Sequence, residues 1–236
     1  MAGISRLTSI AAYENQSKYF STIANNLSNA ETPGFKKEIA LFRSLLAQDV
    51  PSSQYPLIAE TKTLFHQGDL HPTGNVLDVA IDGEGFFKLQ TPFGVRYTRA
   101  GNLKLNSNKV LTDSNGFPVM GKGGEIVVKG REITVKKDGT IESDGRKVAQ
   151  IALVTFADLG LLTKEGQNFF RADESQREKG SETGQVLQWT LEASNVNPLE
   201  EVVKLIDSLR TYESCLKMIQ SQDEIDAKAA NELGRV

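Results

Sequence analysis

Residues 24–38 read ANNLSNAETPGFKKE. The segment before them, residues 4–23, carries the pattern of an amphipathic helix. Then Asn25, Asn26 and Asn29 crowd into five positions, and Pro33-Gly34 halts the run. Asparagine competes for backbone hydrogen bonds, so it suits caps and turns better than helix interiors. One such residue suffices to end a helix. Either this segment is a long C-cap, or its amides are reserved for other partners.

Working outward, Ile4, Leu7, Ile10, Ala11, Tyr13, Phe20, Ile23, Ala24, Leu27 and Ala30 form a mostly 3/4-spaced apolar stripe, broken at Gln16-Ser17. Tyr13, Phe20 and Leu27 fall one heptad apart, a coiled-coil-like spacing. The far end mirrors this. Asn197 and Pro198 supply an N-cap and an N1 proline, with Glu200 at N3 in a capping-box-like start. Leu199, Val202, Ile206, Leu209, Tyr212, Leu216 and Ile219 then keep 3/4 spacing over about six turns. The pattern runs on to residue 233, roughly 50 Å of helix.

Between these segments the period changes. VLDVAIDGEGFFKLQ (76–90), VRYTRAGNLKL (95–105), EIVV (125–128), EITVKKDGTIES (132–143), AQIALVTF (149–156) and VLQWTLEASNV (186–196) are short apolar or alternating runs. Asp-Gly, Asn-Gly, Gly-Gly and Pro-Phe-Gly punctuate them. Asp138-Gly139 and Asp144-Gly145 signal hairpins, because type I′ turns take positive φ at both central residues. No strand alternates with a helix-length pattern, which argues against a doubly wound parallel sheet. Residues 43–75, with Pro51, Pro56 and Pro72, read as an extended connector with one strand at TKTLF (61–65). The expected fold class is α+β. Paired N- and C-terminal amphipathic helices, coiled-coil-like in their seam, bracket an antiparallel all-β central domain. Ile81, Phe86, Leu89, Ile133, Val135, Ile151, Leu153, Val154 and Phe156 are the expected core of that domain. Phe86 and Phe87 point to opposite faces of one strand, so deep burial is expected for only one of them.

The 236 residues suffice for one large or two modest domains. A hydrophobic content of 39% is low for a globular chain, and a formal net charge of −3 implies no polybasic surface for nucleic acid or anionic lipid. No run of 18 apolar residues predicts a membrane span. The opening MAGISRLTSIAAYENQ lacks an apolar signal core, so the expectation is a cytoplasmic protein or one exported without cleavage. The single Cys215 has no partner for an internal disulfide.

Reactive residues do not converge. His66 and His71 sit in the turn-rich connector with Asp69 and Asp78 as their nearest carboxylates, a pattern of solvated loop histidines rather than a metal site. GEGFFK (83–88) has two glycines of a dinucleotide fingerprint, but Lys88 stands where the third belongs and the segment opens a strand. GKGGE (121–125) lacks the spacing and the hydroxyl of a phosphate-binding loop. Asp82, Glu84, Asp138 and Asp144 could pair as glycosidase carboxylates, yet all four adjoin glycines at turns, where acids bond locally. Cys215 falls inside the amphipathic pattern as a small core residue. No catalytic, cofactor or metal residue is assigned.

The ends of the chain carry the recognisable pattern. ANNLSNAETPGF (24–35) resembles a signature of the bacterial flagellar rod and hook proteins. EASNVNPLEEVVKLIDSLRTYES (192–214) resembles the C-terminal signature of the same family. VLDVAIDGEGFFKLQ and YTRAGNLKLNSNKVLTDSNGFPVMG (97–121) are similar to the central domain of its longer members. The hook protein of this family is longer, with extra outer domains, and its shortest rod proteins lack the β block. The distal rod protein carries a longer insertion after the first helix than residues 43–62 allow. GFPVMGKGGEI and MIQSQDEIDAKAANEL are most similar to the proximal rod protein.

The resemblance implies a structural subunit of the basal-body rod, part of the motor drive shaft in the periplasmic space. It would be exported by the flagellar type III apparatus without a cleavable signal, and would polymerise axially with copies of itself and with other rod subunits. No enzyme activity, cofactor, nucleic acid or membrane insertion is implied. The domains expected on this basis are 1–34 with 195–236 as the terminal helical, axial core, 35–74 as the extended connector and 75–194 as the β-rich outer domain. Assembly contacts are expected from Asn25, Asn26, Leu27, Asn29, Thr32, Pro33, Gly34 and Phe35 in the first signature. Ser194, Asn195, Val196, Asn197, Leu199, Val202, Ile206 and Leu209 supply them in the second. Alternatives are a distal rod subunit of the same family, or a secreted β-domain enzyme or glycan-binding module, which would need a convergent pocket of shifted carboxylates.

Overall fold

The computed structural model describes residues 2–46, 54–166, 168–173 and 175–233. It divides into a helical unit, Met1–Ser28 with Glu38–Lys62 and Asn197–Val236, and a β unit, Asn29–Lys37 with Thr63–Val196. The expected α+β class is overturned. Among the described residues two α-helices, α1 (Ala2–Ser28) and α2 (Pro198–Leu233), stand against nineteen strands, so the chain is mostly strand.

In the helical unit the helices run antiparallel, since Tyr13 meets Tyr212, Gln16 meets Ser208 and Asn26 meets Glu201. The hydrogen bonds between the helices are polar additions to the expected seam, within which the Tyr13 and Tyr212 rings lie 5.1 Å apart and Ile23 is buried. The two tyrosine hydroxyls lie 2.8 Å apart, and Gln16 Nε2 donates to the Ser208 carbonyl at 3.0 Å and to its hydroxyl at 2.9 Å. Helical period explains the choice. Glu201, Ser208 and Tyr212 share one face of α2, whereas Leu199, Val202, Ile206 and Leu209 centre roughly 130° around it. Pairing through the first face leaves the second in solvent. Pro51 and the side chains of Ile4, Leu7, Ile10 and Ala11 lie outside the described residues.

The stretch read as a connector carries two long strands, β1 (Glu38–Leu46) and β2 (Gln54–Thr63), paired as a two-stranded sheet. It continues into β3 (Leu70–Pro72), which pairs antiparallel with the strand Thr190–Glu192.

The β unit is built around β4 (Val79–Asp82), β5 (Phe86–Thr91) and β6 (Gly94–Thr98). β5 and β6 are the centre of a six-stranded antiparallel sheet that also takes Thr163–Glu165, Phe169–Arg171, Leu153–Thr155 and Lys179–Gly180. β4 pairs separately with the strand Gln185–Gln188. Both faces of β5 are covered. Phe87 and Leu89 join Val79, Ile81, Val119 and Ile126 in one core, while Phe86 joins Tyr97, Val154, Phe156 and Phe170 in another. Phe86 is 1% exposed and Phe87 0%, so the expectation of one buried phenylalanine fails. Alternation still sends them to opposite faces, but neither face is solvent. Of the other expected core residues, Ile81, Leu89, Ile151, Val154 and Phe156 are buried, while Ile133, Val135 and Leu153 are half-buried against the first core.

The two Asp-Gly turns diverge. Asp144 and Gly145 both take positive φ, +50° and +75°, between the paired residues Ser143 and Arg146. At the other turn only Gly139 does so, because the Asp138 carboxylate instead accepts from the Thr140 backbone and hydroxyl at 3.0 and 2.8 Å.

Candidate assembly site

Within the helical unit, the first signature resolves into distinct fates. Asn25 is exposed, Leu27 is half-buried, and Asn26 is 1% exposed. The Asn26 amide behaves like a neighbouring strand. Its Nδ2 donates to the Glu38 carbonyl at 2.8 Å, and its Oδ1 accepts the Glu38 N–H at 2.9 Å, at the first residue of β1. The same Nδ2 also donates to Glu201 Oε2 at 3.2 Å. The amide is thus engaged inside the chain. On α2, Asn197 caps the helix as the sequence suggests, accepting from the Leu199 and Glu200 N–H groups at 3.1 and 3.4 Å. Leu199 is 75% exposed, and Val202, Val203, Ile206 and Leu209 are also exposed. Five large aliphatic side chains in three turns of one helix form a contiguous apolar stripe, far more than scattered surface leucines amount to.

Within the β unit, the rest of the first signature meets the start of the second. The half-buried Asn29 opens a turn, its carbonyl accepting from the Thr32 N–H and its Oδ1 from the Thr32 hydroxyl, both at 3.1 Å. The Pro33 carbonyl accepts from Asn168 Nδ2 at 3.0 Å. Gly34 takes φ +68° and donates its N–H to the Glu192 carbonyl at 2.7 Å. A Cβ there would lie 2.4 Å from the Arg99 carbonyl carbon, so Gly34 is required by close backbone approach as well as by its φ. Phe35 is buried, with Lys164 Nζ 3.6 Å over its ring. Asn195 accepts the Lys37 N–H at 2.7 Å and donates to the Leu64 and His66 carbonyls at 2.8 and 3.0 Å. Ser194 is half-buried, its hydroxyl accepting from the Val196 N–H at 3.3 Å, and Val196 is buried.

Behind these motifs lies a buried ionic knot. Lys36 Nζ donates to Glu192 Oε1 at 2.5 Å and to the His66 carbonyl at 2.7 Å. Arg99 Nη1 reaches Glu192 Oε2 at 3.3 Å, and Arg99 Nη2 donates to the Gly83 carbonyl at 2.9 Å. Lys36 and Glu192 side chains are wholly buried. Burial pushes the pKa of Lys36 down, opposed by the adjacent Glu192 charge, and Arg99 is displaced the same way for the same reasons. Sequence reading passed over all three. Lys36 adjoins one signature and Glu192 precedes the other, but a pairing across 156 positions leaves no local mark.

Both signatures, and part of the central β block, fall within segments that match known families. Residues 7–36 match the family described as "Flagella basal body rod protein", residues 80–143 the "Flagellar hook protein FlgE/F/G D1 domain" and residues 187–233 the "Flagellar basal body rod FlgEFG protein C-terminal". The chain is 37% identical over 223 residues to the flagellar basal-body rod protein FlgF of Caulobacter vibrioides, covering 91% of each chain. It is 34% identical over 242 residues to FlgG of Borreliella burgdorferi, covering 89% of this chain and 91% of the relative. It is 31% identical over 223 residues to FlgF of Salmonella typhimurium, covering 87% and 88%. The chain belongs to the bacterial flagellar basal-body rod protein family and is most like FlgF.

Proposed function

We propose that this rod subunit polymerises through the exposed face of α2, with the helical unit forming the axial core and the β unit an outer domain. The carrying observation is the stripe of Leu199, Val202, Val203, Ile206 and Leu209, left in solvent because α1 takes the polar face. A stripe of that length on a marginal helix is stabilised by burial against another helix. Copies of the chain and other rod subunits are its occupants, and Asn25 lies on the same exposed unit as a further contact. The protein works as a structural element without enzyme activity, cofactor or nucleic acid, placed at the proximal rod position in the periplasmic space. It passes the flagellar export apparatus with α1 retained, since α1 holds α2 through Tyr13, Gln16 and Asn26. Similarity to FlgG relatives favours the distal rod as the second reading.

The test is Val202→Asp with Ile206→Asp. Both side chains are exposed, so the soluble monomer should melt as the unmodified protein does. Basal bodies purified from cells carrying the double variant should lack the subunit, and the cells should not swim. Normal swimming would overturn the proposal.

A further inference from the structure

The β unit has two chemically opposite ends. In the ladder between β4 and the strand Gln185–Gln188, Asp82 lies against Gln185 and Val79 against Gln188. Beyond the Asp82 end, the Ser181 hydroxyl donates to the Glu84 carbonyl at 2.5 Å, which brings the turn after β4 beside residues 181–184. Three exposed carboxylates, Asp82, Glu84 and Glu182, stand on these adjoining turns. On the inner side Arg99 is bound to the Gly83 carbonyl and to Glu192, and Lys179 lies two residues before Ser181.

The Gln188 end is basic. Gln188 Nε2 donates to the Ile133 and Val76 carbonyls at 3.0 and 2.9 Å, and Ile133 in turn faces Ser143. From there the Gly130 N–H reaches the Ser143 hydroxyl at 3.0 Å. Lys129, Arg146 and Lys147 line an open groove with Val127 and Val148, and Arg131 adjoins it. In the groove Asp144 Oδ1 accepts the Arg131 and Glu132 N–H groups at 3.1 Å each, and Glu142 lies across the ladder from Lys147 while pairing with Lys136. Lys129, Arg131, Lys136, Arg146 and Lys147 therefore stand against Glu132, Asp138, Glu142 and Asp144, an excess of one cation. Trp189 follows Gln188 at this end with φ +59° and 48% exposure. A bulky residue held in the left-handed region and left in solvent is strain of the kind found at interaction sites. The ladder alone separates the two ends by about 10 Å, before the turns at either end are added.

We propose that the basic, tryptophan-bearing end of one β unit receives the acidic turns of the β unit of a second copy. The contact is head to tail. Two different surfaces meet, so repetition generates a ring or an open helical array rather than a two-fold pair. Trp189 supplies the rigid apolar area and the charges supply register and rate. This contact rests on the polymerisation reading above and adds a partner surface to it.

Charge exchange in the full-length protein tests the contact. Arg146→Glu with Lys147→Glu, and separately Asp82→Lys with Glu182→Lys, should each reduce incorporation into basal bodies by at least roughly tenfold. All four together should restore most of it, because the attraction is reversed in sign but not removed. Melting of each soluble variant is measured in parallel. Where a reversal lowers the melting temperature, Arg146→Gln with Lys147→Gln replaces it, with a smaller loss expected. Normal incorporation of both charge-reversed pairs, while Val202→Asp with Ile206→Asp fails to incorporate, overturns the head-to-tail contact and leaves the helical polymer standing. Failure of the fourfold variant to rescue also overturns it, since the groove then serves a different acidic partner. If the helix-face variant incorporates normally, polymerisation through α2 falls, and this contact falls with it.

Discussion

Asn26 answers the question posed by its own neighbourhood. Three amides in five residues look like surplus polar groups at a helix end, yet Asn26 directs both ends of its amide to the backbone of Glu38. It bonds both the N–H and the carbonyl at the first residue of β1, as a neighbouring strand would. Asn26→Ala should therefore be costly even though alanine is the better helix former. Loss of those bonds outweighs a propensity gain of up to about 0.7 kcal/mol, because a buried polar group left unpaired costs about 1–3 kcal/mol each. Urea unfolding of the soluble protein should show a lower midpoint for Asn26→Ala. An unchanged or higher midpoint would return Asn26 to the surface role of a helix-end residue.

At the scale of elements, α2 is held by a thin set of contacts. It hydrogen-bonds α1 through Glu201, Ser208 and Tyr212, and its aliphatic residues Leu199, Val202, Val203, Ile206 and Leu209 stay exposed. A long helix with its apolar stripe in water gains little from burial to offset about 1–2 kcal/mol of backbone entropy per residue. Hydrogen exchange of dilute monomer should accordingly show weak protection along α2, above all beyond Tyr212, and strong protection in β4, β5 and β6. Protection of α2 should rise on polymerisation. Equal protection of α2 and β5 in dilute monomer would mean that the exposed face is not what limits the stability of the helix.

For the whole molecule, the ionic knot makes the β unit discontinuous in sequence. Residues 29–37 belong to it because Lys36 neutralises Glu192 and Gly34 lies on the backbone of Arg99 and Ala100. A fragment of residues 29–196 should melt cooperatively. A fragment of residues 63–196 removes Lys36 and leaves Glu192 with Arg99 and the Gly68 N–H, a change worth about 3 kcal/mol or more. That corresponds to a melting temperature lower by roughly 6–12 °C in the shorter fragment. Equal melting temperatures would show that Lys36 adds nothing.

The parts legible beforehand are those set by neighbours within a few positions. Asn197 caps α2 because its side chain needs only the next two or three N–H groups. Asp144-Gly145 makes its turn because positive φ is a property of those two residues. Alternation in VLDVAIDGEGFFKLQ marks strands for the same local reason. What folding in three dimensions added depends on partners far along the chain. The periodicity of α2 shows an apolar stripe but not that α1 binds the other face, since Gln16 and Ser208 are 192 positions apart. Strand period separates Phe86 from Phe87, yet whether each face is wet or dry depends on which sheets and loops cover it. Asn26 with Glu201, and Lys36 with Glu192, are polar residues whose sequence context looks like surface. Short-range conformational preference is written in adjacent residues, whereas burial and charge pairing are set by the partner that arrives from elsewhere.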